Sequence, residues 1–308
     1  MSTANHGIAS PRPPTRSRAR VLAHLPEGNG RRLRLAVPGW PGSLPGQFLM
    51  LGAGAEGGVI RRDPLLPRPM AVYRELGAAA VGETEDDAGS AARVIEVLYR
   101  VVGRGTALIA DLREGERVPL VGPLGRGFQQ VDPSWAATIS AAGADRAAAG
   151  IDSPALLVGG GTGIASLYEW ARVLAARGRR VVVMLGARTA ADLLGWSDFA
   201  ALGVELVGTT EDGSVGNKGL VTGPLEARLR EGGGATVYAV GPTPMMHACA
   251  VLAETNGVDC FVSLENPMAC GFGVCLGCAA PRRAGGFALV CRTGPVFDAR
   301  EIDWMGLP

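Results

Sequence analysis

Leu157-Val158-Gly159-Gly160-Gly161-Thr162-Gly163-Ile164-Ala165-Ser166 reads as an apolar strand running into a glycine-rich turn and then a helix. The first N–H groups of a helix have no partner within it and sit at the positive end of its dipole, so such a turn can hold a pyrophosphate. The spacing is not the strict G-x-G-x-x-G fingerprint, and glycine-rich strand-to-helix turns also occur for purely structural reasons. The surrounding pattern decides between the two. From Pro154 onward, strand-like stretches at 155–158, 180–185, 204–207 and 236–240 alternate with helix-like stretches at 164–177, 190–202, 221–230 and 244–256. This alternation predicts a parallel sheet with helices on both faces. Gly241-Pro242-Thr243-Pro244-Met245 ends a later strand at the same carboxyl edge, where sheets of this kind form a ligand crevice. Gly160, Gly161, Thr162, Gly163, Gly241 and Pro242 are therefore candidate contacts for a bound dinucleotide.

Upstream, from about Ala19 to Phe128, short apolar runs at 33–37, 47–51, 94–102 and 117–121 are broken by Gly and Pro, which predicts a small antiparallel barrel. Two stretches break its pattern. Residues 77–90, rich in Ala, Gly and acid, read as an exposed hairpin loop, and residues 133–152 as a linker or surface insertion. Residues 1–18 carry Arg12, Arg16 and Arg18 with three prolines and no acid. They read as a disordered tail, with a transit peptide as the alternative. Within the barrel, Arg68-Pro69-Met70-Ala71 and Leu98-Tyr99-Arg100-Val-Val-Gly103-Arg-Gly105-Thr106 offer guanidiniums, free amides and a hydroxyl to phosphate, although each segment alone is also ordinary barrel sequence.

Downstream, a further strand is expected at 259–264, after which both periodicities fade and cysteines begin: Cys270-Gly-Phe-Gly-Val-Cys275-Leu-Gly-Cys278, then Cys291 after twelve residues. A two-iron cluster takes four thiolates, and C-x4-C-x2-C followed by a distant Cys is the plant-ferredoxin spacing. Glycines at 271, 273 and 277 let the loop close around a cluster with its N–H groups toward sulfur. The alternative is structural zinc on the same four cysteines, although zinc sites usually pair two C-x2-C units and only one is present here. Residues 259–308 thus read as a small metal-organised module, since so short a segment buries little core unaided. Cys249 and Cys260 read as buried small hydrophobes.

Composition narrows the function classes. In 308 residues with 46 glycines, 47% apolar content and a net charge of +1, there is no field to draw nucleic acid or an anionic membrane, and no apolar run long enough to span one. Six cysteines, four of them crowded near the C-terminus, point to metal in a reducing compartment rather than a disulfide scaffold. His6, His24 and His247 lack partner spacing for metal or nucleophilic chemistry, and Glu211-Asp212 beside Gly213 reads as a solvated turn or a nicotinamide-facing pair.

In the order Arg68-Pro69-x-x, Tyr99-Arg100-Val-Val-Gly-x-Gly105-Thr106, Gly160-Gly-Thr-Gly163 and Gly241-Pro-x-Pro-Met245, the chain from residue 19 on resembles the ferredoxin-reductase superfamily. Met-Ala-Cys270-Gly-x-Gly-x-Cys275-x-Gly-Cys278 with Cys291-x-x-Gly294-Pro295-Val-Phe297 is similar to the electron-transfer subunits of class 1B dihydroorotate dehydrogenases. The resemblance implies a multidomain α/β plus β architecture: an antiparallel FAD-binding barrel at 19–132, a linker at 133–152, a Rossmann-like NAD domain at 153–258 and a 2Fe-2S module at 259–308 carrying its cluster on Cys270, Cys275, Cys278 and Cys291. It also implies FAD contacts at Arg68, Pro69, Met70, Ala71, Leu98, Tyr99, Arg100, Gly105 and Thr106. Position 71 departs from the family, which has a small hydroxyl residue there. Further implications are a partner subunit carrying FMN, a heterotetramer of two plus two, a cytoplasmic setting and a role in de novo pyrimidine (UMP) synthesis. A sister subunit of a sulfhydrogenase or of an NADP-linked ferredoxin oxidoreductase shares the barrel and sheet; a zinc-stabilised interaction module is the alternative outside redox chemistry. Arg188, after the second strand of the sheet, could meet a 2'-phosphate, so NAD and NADP both remain open.

Overall fold

The computed structural model describes residues 13–55, 66–77, 92–135 and 153–307. Its first half is an antiparallel sheet of β1 (Thr15–Glu27), β2 (Gly30–Pro38), β3 (Phe48–Leu51), β4 (Arg68–Ala71), β5 (Arg74–Leu76), β6 (Ala92–Tyr99) and β7 (Arg117–Leu124), with helix α1 (Arg104–Ala110) between the last two. The strand order is β4-β3-β7-β1-β2-β6-β5, so the two edges are consecutive in sequence. The link between them closes the barrel: the Val72 N–H donates to the Gln47 carbonyl beside β3, and the Tyr73 N–H to the Glu96 carbonyl of β6. Leu33, Leu35 and Val37 alternate inward from β2 and meet Val21, Leu49, Leu51, Ile95, Val97, Val118 and Leu120 in one core, as a period of two requires.

The second half alternates as the sequence predicts: β8 (Ala155–Gly160), α2 (Tyr168–Ala176), β9 (Val181–Ala187), α3 (Trp196–Ala201), β10 (Glu205–Thr210), β11 (Asn217–Lys218), α4 (Thr222–Arg230), β12 (Thr236–Val240), α5 (Thr243–Thr255) and β13 (Asp259–Ser263). β14 (Ala279–Pro281), β15 (Phe287–Leu289), α6 (Val290–Thr293) and β16 (Val296–Asp298) follow. The sheet runs β11-β10-β9-β8-β12-β13-β16 and is parallel except at β16. Strand order reverses between β8 and β12, which opens a crevice beyond their carboxyl ends. Leu156, Val158, Val182 and Met184 face α4 and α5, whereas Leu157, Val183 and Leu185 face α2 and α3, so both sides of the sheet are covered.

Several expectations need correction. Thr15–Arg18, expected in a tail, pair with β7, while residues 1–12 lie outside the described residues. Trp135, expected in a linker, is buried against Trp170 at a ring distance of 5.2 Å; residues 136–152 and most of the 77–90 stretch lie outside the described residues. The helix expected from Ile164 begins at Tyr168, because Gly161–Leu167 form a tighter 3-10 turn first. The stretch expected as one helix at 190–202 is interrupted by Gly195 at φ +70°, and α3 starts after it. As expected, β13 adds one more strand to the parallel sheet, and β16 returns from the cysteine module to pair antiparallel with it. A short chain segment gains a core by sharing its neighbour's, and Cys278, Ala280, Val290 and Cys291 lie in one apolar cluster with Val237 and Val262.

The two halves are joined through charge. Asp198 of α3 accepts hydrogen bonds from the Tyr73 hydroxyl (2.6 Å), Arg32 (2.7 Å) and Arg74 (3.0 Å) of the barrel. Glu96, 0% exposed, pairs with Arg32, Arg34 and Arg74. Burial by itself raises the Asp198 pKa, but the Tyr73 and Arg32 hydrogen bonds and the Arg32 and Arg74 charges outweigh it and hold the carboxyl below the ordinary range. A depressed folded-state pKa means that the contribution is present above the unfolded value and is lost as pH falls through the folded one. Replacing Asp198 by Asn should therefore cost about 2 kcal/mol at neutral pH. The difference from the native protein should shrink as pH falls below the usual carboxylate pKa and vanish only below the depressed folded-state value, as read by denaturant melts along a pH series.

Candidate functional site

A cavity of about 290 Å³ lies between barrel and sheet. Its barrel wall is Arg68, Pro69, Met70 and Ala71 of β4 with Leu98, Tyr99, Arg100 and Thr106. Eight of the nine predicted flavin contacts thus line one space. The ninth, Gly105, lies beneath Arg68: a Cβ there would stand 2.2 Å from Arg68 Nε, so only glycine lets the guanidinium cross the turn. Arg68 is anchored by a 2.8 Å bond to the Leu66 carbonyl. The Thr106 hydroxyl, expected to meet phosphate, accepts from the Val102 and Gly103 N–H groups and donates to the Gly103 carbonyl, so it shapes the turn. Tyr99 presents its ring, because its hydroxyl is held by His24 at 2.8 Å. A flat apolar wall flanked by two guanidiniums suits a ring system bearing a pyrophosphate.

The opposite wall comes from parts of the chain that the motifs did not single out for this purpose: Ser166 after the glycine-rich turn, Ser263 to Asn266 and Met268 before the cysteines, and Pro295. Thr162, expected beside a dinucleotide, lines this cavity instead. The only sequence signal for Glu265 and Asn266 is that they open the cysteine motif.

A second space of about 450 Å³ lies at the switch point, walled by Gly160, Gly161, Pro242, Met245, Arg188 and Glu211. Its glycines are required by close approach. A Cβ at Gly163 would stand 2.6 Å from the Val240 carbonyl group, and one at Gly160 2.6 Å from Met245 Sδ. Gly241, at φ +157°, leaves no room beside the Gly160 backbone. Arg100 lines both spaces and is fixed by Asp192 at 2.9 Å. Burial raises the Asp192 pKa, but bonds from Asn29 and Thr189 and the charges of Arg100 and Arg188 prevail and lower it.

The cysteine loop caps the assembly. The Cys291 N–H donates to Cys278 Sγ at 3.4 Å, which brings the distant cysteine back to the loop that carries the other three. Four thiols at this spacing suit a two-iron cluster. Burial raises the Cys270 pKa, yet the backbone N–H groups of Cys275, Phe272 and Val274 outweigh it and lower the thiol to about 6. Gly271 and Gly273 take φ of +83° and +86°, and a Cβ on Gly271 would stand 2.5 Å from Met50 of the barrel. Phe272, Val274 and Leu276 project outward around the exposed Cys275. Cys249 and Cys260 are core residues, as expected, and burial pushes the Cys249 thiol up to about 12.

The family described as the iron-sulfur cluster binding domain of dihydroorotate dehydrogenase B matches residues 265–303, and the oxidoreductase NAD-binding domain matches residues 157–250. The dihydroorotate dehydrogenase B (NAD+) electron transfer subunit of Geobacillus kaustophilus is 37% identical over 84% of this chain and 86% of its own length. This chain belongs to that family of electron transfer subunits. The corresponding subunit of Fusobacterium nucleatum is 32% identical over 84% of this chain and 86% of its own. Among solved structures, that of an NADH-dependent reduced ferredoxin-NADP oxidoreductase superposes with a TM-score of 0.71 at 26% identity, covering 97% of this chain and 92% of the other. The FAD/NAD-binding domain of nitric oxide dioxygenase from Vibrio cholerae, at 15% identity and a TM-score of 0.59 over 82% of this chain and 99% of its own, shares the fold.

With Cys275 as a cluster ligand, Cys275→Ser should lose the visible absorbance and both irons of the cluster while FAD stays bound; two irons retained per chain would refute the ligand set. Arg68→Ala should weaken FAD binding by ~1.5 to 3 kcal/mol, the worth of one charged hydrogen bond, with flavin released on dilution as the readout.

Proposed function

We propose that this chain carries electrons from a partner dihydroorotate dehydrogenase subunit, which holds FMN, through a 2Fe-2S cluster on Cys270, Cys275, Cys278 and Cys291 and an FAD in the barrel cavity to NAD+ in the switch-point crevice. One observation carries the reading: the three places form an unbroken series. Glu265, Asn266 and Met268, which lead into the cysteine loop, line the flavin cavity, and Arg100 is common to that cavity and the crevice. The cluster supplies one-electron transfer, and the flavin exchanges single electrons for a hydride.

The chain's own residues bind and orient. Arg68 and Arg100 neutralise flavin phosphate, Gly160 and Gly161 expose backbone N–H groups to the dinucleotide, and Pro242 with Met245 shapes the nicotinamide end. Ala71 leaves room and a backbone amide beside the flavin ring. The apolar rim of Phe272, Val274 and Leu276 around Cys275 supports docking of the FMN subunit, with two of each chain in the assembly. Among the described residues no helix is long and apolar enough to cross a membrane.

The purified chain should oxidise NADH with an artificial acceptor yet leave dihydroorotate untouched. Adding the FMN subunit should link orotate formation to NADH formation one for one, followed as absorbance of both products. Orotate formation by this chain alone, or a reconstituted pair that ignores NAD+, would overturn the reading.

A further inference from the structure

An iron-sulfur cluster held by four thiolates carries net negative charge, and an electron that enters makes that charge larger. The chain answers it with an imbalance of its own. From Asn266 to Phe297 there is no Asp or Glu, and the three cations are Arg282, Arg283 and Arg292. Two of these are tied to acids outside that stretch, Arg282 to Glu301 at 2.8 Å and Arg283 to Glu254 at 3.7 Å. Among the described residues no carboxylate pairs with Arg292.

Arg292 is placed from two sides. It follows Cys291 directly in α6, and its side chain lies along Gly273, within the loop between Cys270 and Cys275. A Cβ on Gly273 would stand 3.0 Å from Arg292 Cδ and 3.4 Å from its Cβ, and Gly273 itself takes φ +86°. The apolar stem therefore packs across the bare face of the loop, while the residue stays exposed and its guanidinium keeps its water. The other arginine beside this segment, Arg126, is engaged differently: its N–H bonds to the Gly294 carbonyl and its guanidinium to the Gln130 carbonyl at 2.6 Å. Arg292 thus brings a full positive charge, unmatched by an acid among the described residues, to both cysteine-bearing segments at once.

We propose that Arg292 raises the reduction potential of the cluster by compensating the charge that each electron adds. The inference rests on the function proposed above. Each electron comes from the reduced FMN of the partner subunit and leaves for the FAD of this chain; at Arg292 no bond forms or breaks and no proton moves. The guanidinium acts through space, so its effect has the size of a charge pair at a protein surface and is weakened by salt. A cation favours the more negative form, hence the reduced cluster.

The test is a potentiometric titration of the full chain with FAD and cluster bound, read by the paramagnetic resonance of the reduced cluster. At a fixed solution potential, Arg292→Gln should lower the ratio of reduced to oxidised cluster about threefold and Arg292→Glu about tenfold, since reversing a charge doubles the effect of removing it. Arg292→Lys should keep the native ratio, and so should Arg283→Gln, whose cation is already matched by Glu254. Raising the ionic strength should shrink the difference between native and R292E, which a loss of packing alone would not do. An unchanged cluster potential in R292E with two irons bound would overturn the proposal. Loss of iron from both R292Q and R292K would also overturn it, by making Arg292 a residue of the loop's folding. A native chain that held zinc or no iron would instead overturn the functional reading, and this inference with it.

Discussion

The carboxylate of Glu96, withdrawn from water at the middle of β6, is the constraint around which the two halves of the molecule are arranged. A buried anion is stable only when paired and hydrogen-bonded. Three barrel arginines, Arg32, Arg34 and Arg74, meet it. Arg32 and Arg74 extend past it to Asp198 of α3, and the Tyr73 hydroxyl joins them. One cluster of charges therefore closes the barrel and clamps it to the α/β half. Arg32 and Arg74 each bridge the two carboxylates, so the clamp holds as a unit.

That clamp sets where the cofactor spaces meet. The β1–β2 hairpin tip reaches the α/β half, with the Asn29 N–H on the Ala191 carbonyl and its side chain on Asp192, and Asp192 in turn fixes Arg100. A guanidinium placed by the barrel is thus oriented by the neighbouring sheet, on the wall shared by both spaces. On the far side, the Leu264 N–H bonds to the Pro295 carbonyl and the Arg126 N–H to the Gly294 carbonyl, tying the cysteine segment to sheet and barrel together. Rigid support on three sides suits electron transfer, which depends on fixed separations rather than on moving parts.

The alternation from 155 to 256 was legible because strand and helix periods differ and because the central strands β8, β9 and β12, covered on both faces, are largely apolar. The barrel runs at 33–37, 47–51 and 117–121 were legible as short apolar stretches broken by Gly and Pro, and the last of them alternates inward and outward in the structure. Boundaries were less legible. The 190–202 stretch has the composition of one helix, and only the turn at Gly195, packed against Tyr73, divides it. Trp135 sits in a segment without periodicity, and nothing local shows that it packs on Trp170.

The sequence by itself determined the chemistry: four cysteines at a two-iron spacing, an Arg-Pro segment ahead of a Gly-Thr turn, and two glycine-rich loops after strands. These are short-range statements, since thiolate spacing and glycine's freedom at positive φ act within a few residues. Tertiary structure alone decided that Thr162 faces the flavin cavity, that Arg100 stands between two spaces, that β16 returns to the parallel sheet and that Glu265 lines the flavin cavity. Those facts depend on residues tens to hundreds of positions apart being brought together by the Glu96–Asp198 clamp and by shared apolar burial, and no local pattern encodes such a distance.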